Sequence, residues 1–196
     1  LGVCAPNLAT YSVNFTLAPG ATLTRVPVVG TIGTNTITGI PAGTNIRLIA
    51  TSSACNKTDE IIVVAPNCNV TFAQNDINQT PINVPVSGNV LTNDYDPQGD
   101  AQTVTSALAD TDGDGSVDDN LPLGASTTIY GTNNANVVVV AGTVTLNPNG
   151  TYTYTPALNY QGTVPFAYTI TDNNASPATD RATVAIEVIP ASVLGV

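Results

Sequence analysis

Gly142-Thr-Val-Thr-Leu-Asn-Pro-Asn-Gly-Thr-Tyr-Thr-Tyr-Thr-Pro156 is the stretch that decides the fold. Residues 143–146 and 151–155 each alternate apolar with polar side chains, the period-two pattern of a half-buried strand. Asn147-Pro-Asn-Gly150 between them is turn chemistry, so the stretch reads as a hairpin. Immediately before it, the apolar run 137–140 predicts another strand.

The rest of the chain has the composition of strands and turns. Val, Ile, Thr and Tyr dominate, Met, Trp and His are absent, and Gly and Pro supply 16 and 14 residues. No window carries a 3.6-residue apolar period, so the fold class is all-β. A length of 196 residues allows one large domain or two small ones. The net charge of −10 has the wrong sign for binding nucleic acid or an anionic membrane. No apolar run approaches the ~20 residues of a membrane helix, so no membrane insertion is expected. The chain opens on Leu1 without an initiator Met or signal peptide, which leads us to expect a mature or excised piece of something longer.

Residues 1–68 read as six or seven short strands. Segments 11–17, 22–29, 36–40, 45–51 and 60–65 are separated by Pro19-Gly20, Pro41-Ala-Gly43 and the 56–59 turn. Turn signals at roughly 8–12-residue spacing suggest a β-sandwich. The Ile-Ile-Val-Val run at 61–64 predicts a strand buried on both faces. A boundary is expected at Ala65-Pro-Asn-Cys68, and a second domain from residue 69 to 190.

Within that second domain, eight of the fourteen acidic residues and none of the four basic ones fall between residues 94 and 119. Carboxylates this dense raise one another's pKa unless a cation neutralises them. Hard oxygen donors among glycines suit calcium, which takes six to eight oxygens at about 2.3–2.6 Å. Asp110, Asp112 and Asp114 occupy positions 1, 3 and 5 of a calcium loop, with Gly115 at the sixth. Ser116 at position 7 could offer its carbonyl, Asp118 sits at position 9, and Asp119 follows. Position 12 is Leu121 rather than Glu and no helix flanks the loop, so it is not an EF-hand. The spacing looks more like the calcium loops of thrombospondin type 3 repeats and dockerin-like segments. Asp94, Asp96 and Asp100 form a second candidate ligand group. The alternative for both is a solvated acidic loop.

Other chemistry is poorly served. No His is available for a nucleophile–base pair, Lys57 lies beside Asp59 and Glu60, and the acids sit in glycine-rich loops rather than a cleft. No catalytic residue is assigned, and the expectation is a non-enzyme. Asn-x-Ser/Thr sequons are frequent in a chain this rich in Asn and Thr, and no glycan is assigned. Cys4, Cys55 and Cys68 lack any C-x-x-C spacing. An extracellular setting allows one disulfide, with Cys4–Cys55 expected and Cys55–Cys68 the alternative. Tyr152, Tyr154, Tyr160, Phe166 and Tyr168 read as core rather than as a sugar-stacking platform, because a domain without Trp must fill itself with them.

Two resemblances extend this reading. Thr36-Ile-Thr-Gly-Ile-Pro-Ala-Gly-Thr44, Leu48-Ile-Ala-Thr-Ser52 and Val64-Ala-Pro-Asn-Cys68 resemble Ig-like repeats of large secreted surface proteins of Bacteroidetes-type bacteria, gliding-motility adhesins among them. Val84-Pro-Val-Ser-Gly-Asn-Val-Leu91, Asn93-Asp-Tyr-Asp-Pro-Gln-Gly-Asp100, the 142–156 hairpin, Phe166-Ala-Tyr-Thr-Ile-Thr-Asp172 and Ala182-Thr-Val-Ala-Ile-Glu-Val188 are similar, block by block, to the bacterial cadherin-like tandem repeat domain of giant adhesins. That resemblance implies a Greek-key sandwich, often calcium-bound, strung in arrays. It matches Asp94, Asp96 and Asp100 to the family's acidic loop, and adds Asp76 and Asp172 as further metal positions. Residues 106–137 depart from the pattern as an insertion.

The chain begins and ends on Leu-Gly-Val, at 1–3 and 194–196, which suggests one period of a longer array. Residues 191–196 are then a linker to the next repeat or a donor strand. The expected function is a non-enzymatic repeat segment of a secreted, cell-surface adhesin or extracellular fibre, stiffened by calcium. Its partners are neighbouring repeats or subunits, and surface glycans, host or substratum. The alternatives are a self-assembling filament subunit joined by strand donation and a carbohydrate- or protein-binding module.

Overall fold

A computed structural model describes residues 1–54 and 56–191, which are all-β, with no α-helix among them. The chain divides into two compact units, Leu1–Asn69 and Val70–Val196.

The first unit holds β1 (Gly2–Cys4), β2 (Thr10–Asn14), β3 (Ala21–Val26), β4 (Thr31–Ile32), β5 (Thr36–Pro41), β6 (Ile46–Ser52) and β7 (Lys57–Val63). They form a four-stranded sheet, β1-β2-β5-β4, and a three-stranded sheet, β3-β6-β7. Tyr11, Val13, Ile37 and Ile40 from the first sheet meet Ile46 and Leu48 from the second in one buried cluster. The Tyr11 hydroxyl is satisfied by donating to the Thr44 carbonyl at 2.6 Å.

Two expectations fail in this unit. The Ile-Ile-Val-Val run is not buried on both faces: Ile61, Ile62 and Val64 are 62%, 68% and 69% exposed. The reason is position, since β7 is an edge strand whose only partner among the described residues is β6. The disulfide joins Cys4 to Cys68, not to Cys55, which lies outside the described residues. After β7 the chain crosses to the edge of the other sheet and runs beside β1. There a Cβ on Gly2 would meet Pro66 Cδ at 2.7 Å, and the Cys4 and Cys68 Cα atoms stand 5.7 Å apart. The bridge closes 64 residues of chain, a loop length that restricts the unfolded state by about 4 kcal/mol.

The second unit contains β8 (Asp76–Pro81), β9 (Val86–Asn89), a 3-10 turn (Val90–Thr92), β10 (Gln102–Ala109), β11 (Asp119–Asn120), β12 (Thr127–Asn133), β13 (Val138–Leu146), β14 (Thr151–Pro156), β15 (Gly162–Asp172) and β16 (Thr179–Ile189). The hairpin read from residues 142–156 is β13–β14, with Leu146 opposite Tyr152. The long strand β15 pairs with β16 along one side. On its other side it meets β12 at Gly162–Thr163 and β10 from Phe166 onward. The sheet therefore splits and folds over itself: β8-β16-β15-β10-β11 forms one layer, and β12-β13-β14-β9 the other. Tyr160 fastens the hinge between them, its hydroxyl lying 3.1 Å from the Thr132 carbonyl and 3.0 Å from that of Thr163.

Between the layers lies one buried cluster that includes all five aromatics read as core. Tyr152 meets Phe166 edge to face at 5.7 Å, and the Tyr154 hydroxyl donates to the Ala141 carbonyl at 2.6 Å. None of the five offers a ring face to a sugar. Gly142 makes the close packing of β13 against β14 geometrically feasible. Its φ is +150°, and a Cβ there would lie 2.2 Å from the Thr155 carbonyl oxygen.

Candidate metal centres

Two groups of three carboxylates form in the second unit, each with oxygen atoms within 4.8 Å of one another. The first joins Asp110, Asp112 and Asp119. The register of β10 against β11 pairs Ala109 with Asp119, so the intervening loop is closed at its neck and its two ends face each other. Asp110 is buried, and its two oxygens accept from the Gly113 and Gly115 N–H groups at 2.6 and 2.9 Å. Gly113 has φ +85°, and a Cβ there would press to 2.8 Å from the Tyr130 ring, so the turn requires glycine. Thr111 donates both its N–H and its hydroxyl to Asp119 Oδ2 at 2.9 Å, and these bonds hold the Asp119 pKa below the usual carboxylate range.

Asp114 and Asp118 are not among the carboxylates that meet in this group. Asp114 turns back on its own backbone and accepts from the Ser116 N–H at 2.7 Å, while Asp118 is exposed. Four carboxylate oxygens of the group, both of Asp110, Oδ1 of Asp112 and Oδ2 of Asp119, already receive main-chain N–H bonds, leaving further lone pairs for a cation.

The second group joins Asp96, Asp100 and Asp172. Sheet register again makes it. Gln102, at the start of β10, pairs with Asp172, at the end of β15, and this carries the 96–100 loop to the β15–β16 turn. Asp96 Oδ1 accepts from the Gln98 N–H at 2.8 Å, and Asn174 donates its amide to Asp100 Oδ2 at 3.0 Å. Asp172 is buried and accepts from the Asn174 and Ala178 N–H groups at 3.2 Å. Asp96 Oδ2 is buried with no hydrogen-bond partner. A buried carboxylate oxygen left bare costs several kcal/mol, which a bound cation would remove. The all-oxygen donor sets of both groups fit a hard ion such as calcium.

Asp94 and Asp76 belong to neither group. They converge on Tyr168, whose hydroxyl oxygen lies 3.1 Å from Asp76 Oδ2, 3.1 Å from Asp94 Oδ1 and 2.9 Å from the Gln74 carbonyl. Burial pushes the Asp76 carboxyl up to about 6, with the Asp94 charge adding to the rise and the Tyr168 hydrogen bond opposing it. Burial raises Asp94 as well, and raises the Tyr168 phenol most of all. Asp180 sits nearby and accepts from the Ala73 N–H at 2.9 Å.

The charge balance is lopsided. This unit holds twelve acids and one basic residue, Arg181, which is exposed. Among the described residues, both ion pairs, Arg47–Glu60 and Lys57–Asp59, lie in the first unit. The sequence marked Tyr168 as core and not as a partner of carboxylates, and it did not single out Thr111 or Asn174. The only local signal of these two is closeness to an acid, as in Asp110-Thr-Asp112 and Asp172-Asn-Asn174.

Comparison with known proteins gives one family match: residues 128–188, under a third of the chain, match the model of a cadherin-like domain. No curated protein matches. Among solved structures, the chain is similar to the human mucin-like protocadherin EC1-2 pair at 14% identity and TM-score 0.37, covering 90% of this chain and 87% of that one. It is similar to domains 4 and 5 of the S-layer protein SbsC at 12% identity and TM-score 0.29, covering 92% and 80%. A nucleoside hydrolase-related hypothetical protein from Saccharophagus degradans is matched at 14% identity and TM-score 0.36 over 62% of this chain, which spans 25% of that one.

Proposed function

We propose that the chain is a non-enzymatic structural segment of an extracellular bacterial surface adhesin or fibre, and that calcium stiffens its second unit. The observation that carries this reading is the pairing of two carboxylate trios with a unit almost devoid of cationic side chains. Each trio joins segments that are apart in the sequence. Asp110, Asp112 and Asp119 would hold one ion and close the loop between β10 and β11. Asp96, Asp100 and Asp172 would hold another and tie the 96–100 loop to the β15–β16 turn. A bound divalent cation supplies the positive charge that offsets repulsion among the carboxylates, so binding free energy becomes folding free energy. The similarity of residues 128–188 to cadherin-like domains supports an extracellular repeat, and neighbouring repeats or subunits are its nearest partners.

Isothermal titration of the full chain with calcium tests the reading. Two binding events are expected, one weakened about tenfold by Asp112→Asn and the other by Asp100→Asn. An absence of calcium-specific heat at millimolar concentrations would refute it.

A further inference from the structure

The two layers of the second unit differ in charge. The layer β8-β16-β15-β10-β11 carries Asp76, Asp119, Asp172, Asp180, Arg181 and Glu187. The layer β12-β13-β14-β9 carries no Asp, Glu, Lys or Arg, although the unit holds twelve acids. Val144, Leu146, Tyr152 and Tyr154 are buried in the core, so the alternate residues of β13 and β14 face outward. The sheet register then lays Thr128, Thr143 and Thr155 in one outward row, and Thr145, Thr153 and Ser87 in the next. The hydroxyl oxygens of Ser87 and Thr153 stand 3.0 Å apart. This side of the sandwich is neutral and bears hydroxyls.

Where β13 begins and β14 has ended lies a cleft of about 470 Å³, between the turn after β12 and the chain from Leu158 to Gln161. Small-molecule sites span roughly 300–1,000 Å³, and this volume falls among them. Val140 and Leu158 give the cleft an apolar wall and are 45% and 83% exposed. Asn133, Asn134, Asn159 and Gln161 surround that wall with carboxamides. The backbone here is already paired within the chain. Asn133 donates its N–H to the Val137 carbonyl at 3.0 Å, Asn134 to the Gln161 carbonyl at 3.2 Å, and Asn159 to Asn83 Oδ1 at 2.8 Å. A guest therefore meets side chains rather than a bare strand edge. The carboxamides of Asn134 and Gln161 have no hydrogen-bond partner among the described residues, and each offers two donors and an acceptor oxygen.

We propose that this cleft binds a neutral glycan. Sugar hydroxyls both donate and accept, as carboxamides do, and the C–H faces of the ring pack on Val140 and Leu158. A glycan chain longer than the cleft meets the hydroxyl rows of β13 and β14 and no charge as it crosses the layer. Other ligand classes fit poorly. An acidic sugar is repelled by a chain of net charge −10, and a cation finds no carboxylate among the lining residues. A peptide strand finds no free backbone edge to pair with. Glycan binding adds recognition to the structural role and does not depend on calcium.

The full chain, in EDTA, is applied to immobilised neutral oligomers of glucose, mannose, galactose and N-acetylglucosamine, beside sialylated, uronic and sulfated glycans. Binding to at least one neutral oligomer, and none to the acidic glycans, is expected. Titration calorimetry with the best-bound neutral oligomer then reads the site. Asn134→Ala and Gln161→Ala should each weaken binding about fivefold, the worth of one hydrogen bond. Leu158→Asp, which sets a charge on the apolar wall, should weaken it at least tenfold. Ile77→Asp, at an exposed position of the other layer, should leave it unchanged. Circular dichroism checks that each variant is folded. A chain that binds no neutral oligomer at millimolar concentration, or that prefers acidic glycans, would overturn the proposal. So would full affinity in a folded Leu158→Asp chain. Each of these outcomes leaves the calcium reading standing, and Asp112→Asn should leave the glycan affinity as it is.

Discussion

Asp112→Asn isolates the charge of one candidate ligand from the folding of its loop. Asp112 is exposed, and its Oδ1 makes one bond, accepted from the Asp114 N–H at 3.1 Å. An asparagine carbonyl keeps that bond, so in EDTA the variant should melt within about 1 °C of the parent, as a surface change does. In calcium the two should diverge. An extracellular module binds calcium with a Kd of about 10⁻⁴ M at the tight end. At about 10 mM calcium, each such site adds roughly 2.7 kcal/mol. For a unit of this size 1 kcal/mol moves the melting temperature by about 4 °C, so one site is worth roughly 10 °C. Removing one of three carboxylates and weakening binding tenfold forfeits about 1.4 kcal/mol, or about 5 °C of that rise. Differential scanning calorimetry in EDTA, calcium and magnesium reads all of this. Equal calcium shifts in parent and variant would refute the assignment of Asp112 as a ligand. A parent that calcium does not stabilise, or that magnesium stabilises as much, would refute the calcium site itself.

Three further outcomes follow from the packing. Because the Asp76 carboxyl is raised in the folded state, the unfolded chain loses its proton first, and stability is lost as pH climbs from about 4 through about 6. Partial exposure limits the loss to roughly 1–2 kcal/mol, so in EDTA the second unit should melt higher at about pH 5 than at about pH 7.5, and Asp76→Asn should flatten the difference. Reducing Cys4–Cys68 should lower the stability of the first unit by about 4 kcal/mol while the second unit's transition stays put, read by calorimetry with and without reductant. Gly142→Ala drives a Cβ into the Thr155 carbonyl and should cost about 3 kcal/mol or more by urea unfolding; a cost under about 1 kcal/mol would show that β13 relaxes freely there.

Local chemistry alone carried much of this protein. Period-two alternation around Asn147-Pro-Asn-Gly150 specified β13 and β14, because side-chain direction in a strand follows from sequence position alone. The absence of Trp marked Tyr152, Tyr154, Tyr160, Phe166 and Tyr168 as core, since nothing else is large enough to fill the space. The spacing of Asp110 and Asp112 beside Gly113 and Gly115 marked a turn crowded with carboxylates. Which acids meet is another matter. Asp94 and Asp96 are two residues apart, yet one turns to Tyr168 and the other to Asp100 and Asp172, because the β10–β15 register sets which loop faces which turn. Cys68 rather than Cys55 reached Cys4 because the chain after β7 crosses to the edge of the opposite sheet. Ile61 and Ile62 read as buried and are exposed because an edge strand has one neighbour, and a strand's place in its sheet is set by pairings between residues far apart in the chain. The sequence by itself determined the strands, the turns and the reservoir of carboxylates, all of which depend on neighbours a few residues away. Only the tertiary structure decided the ligand groupings, the disulfide and the exposure of Ile61 and Ile62, because each depends on which edges the folded sheets bring together.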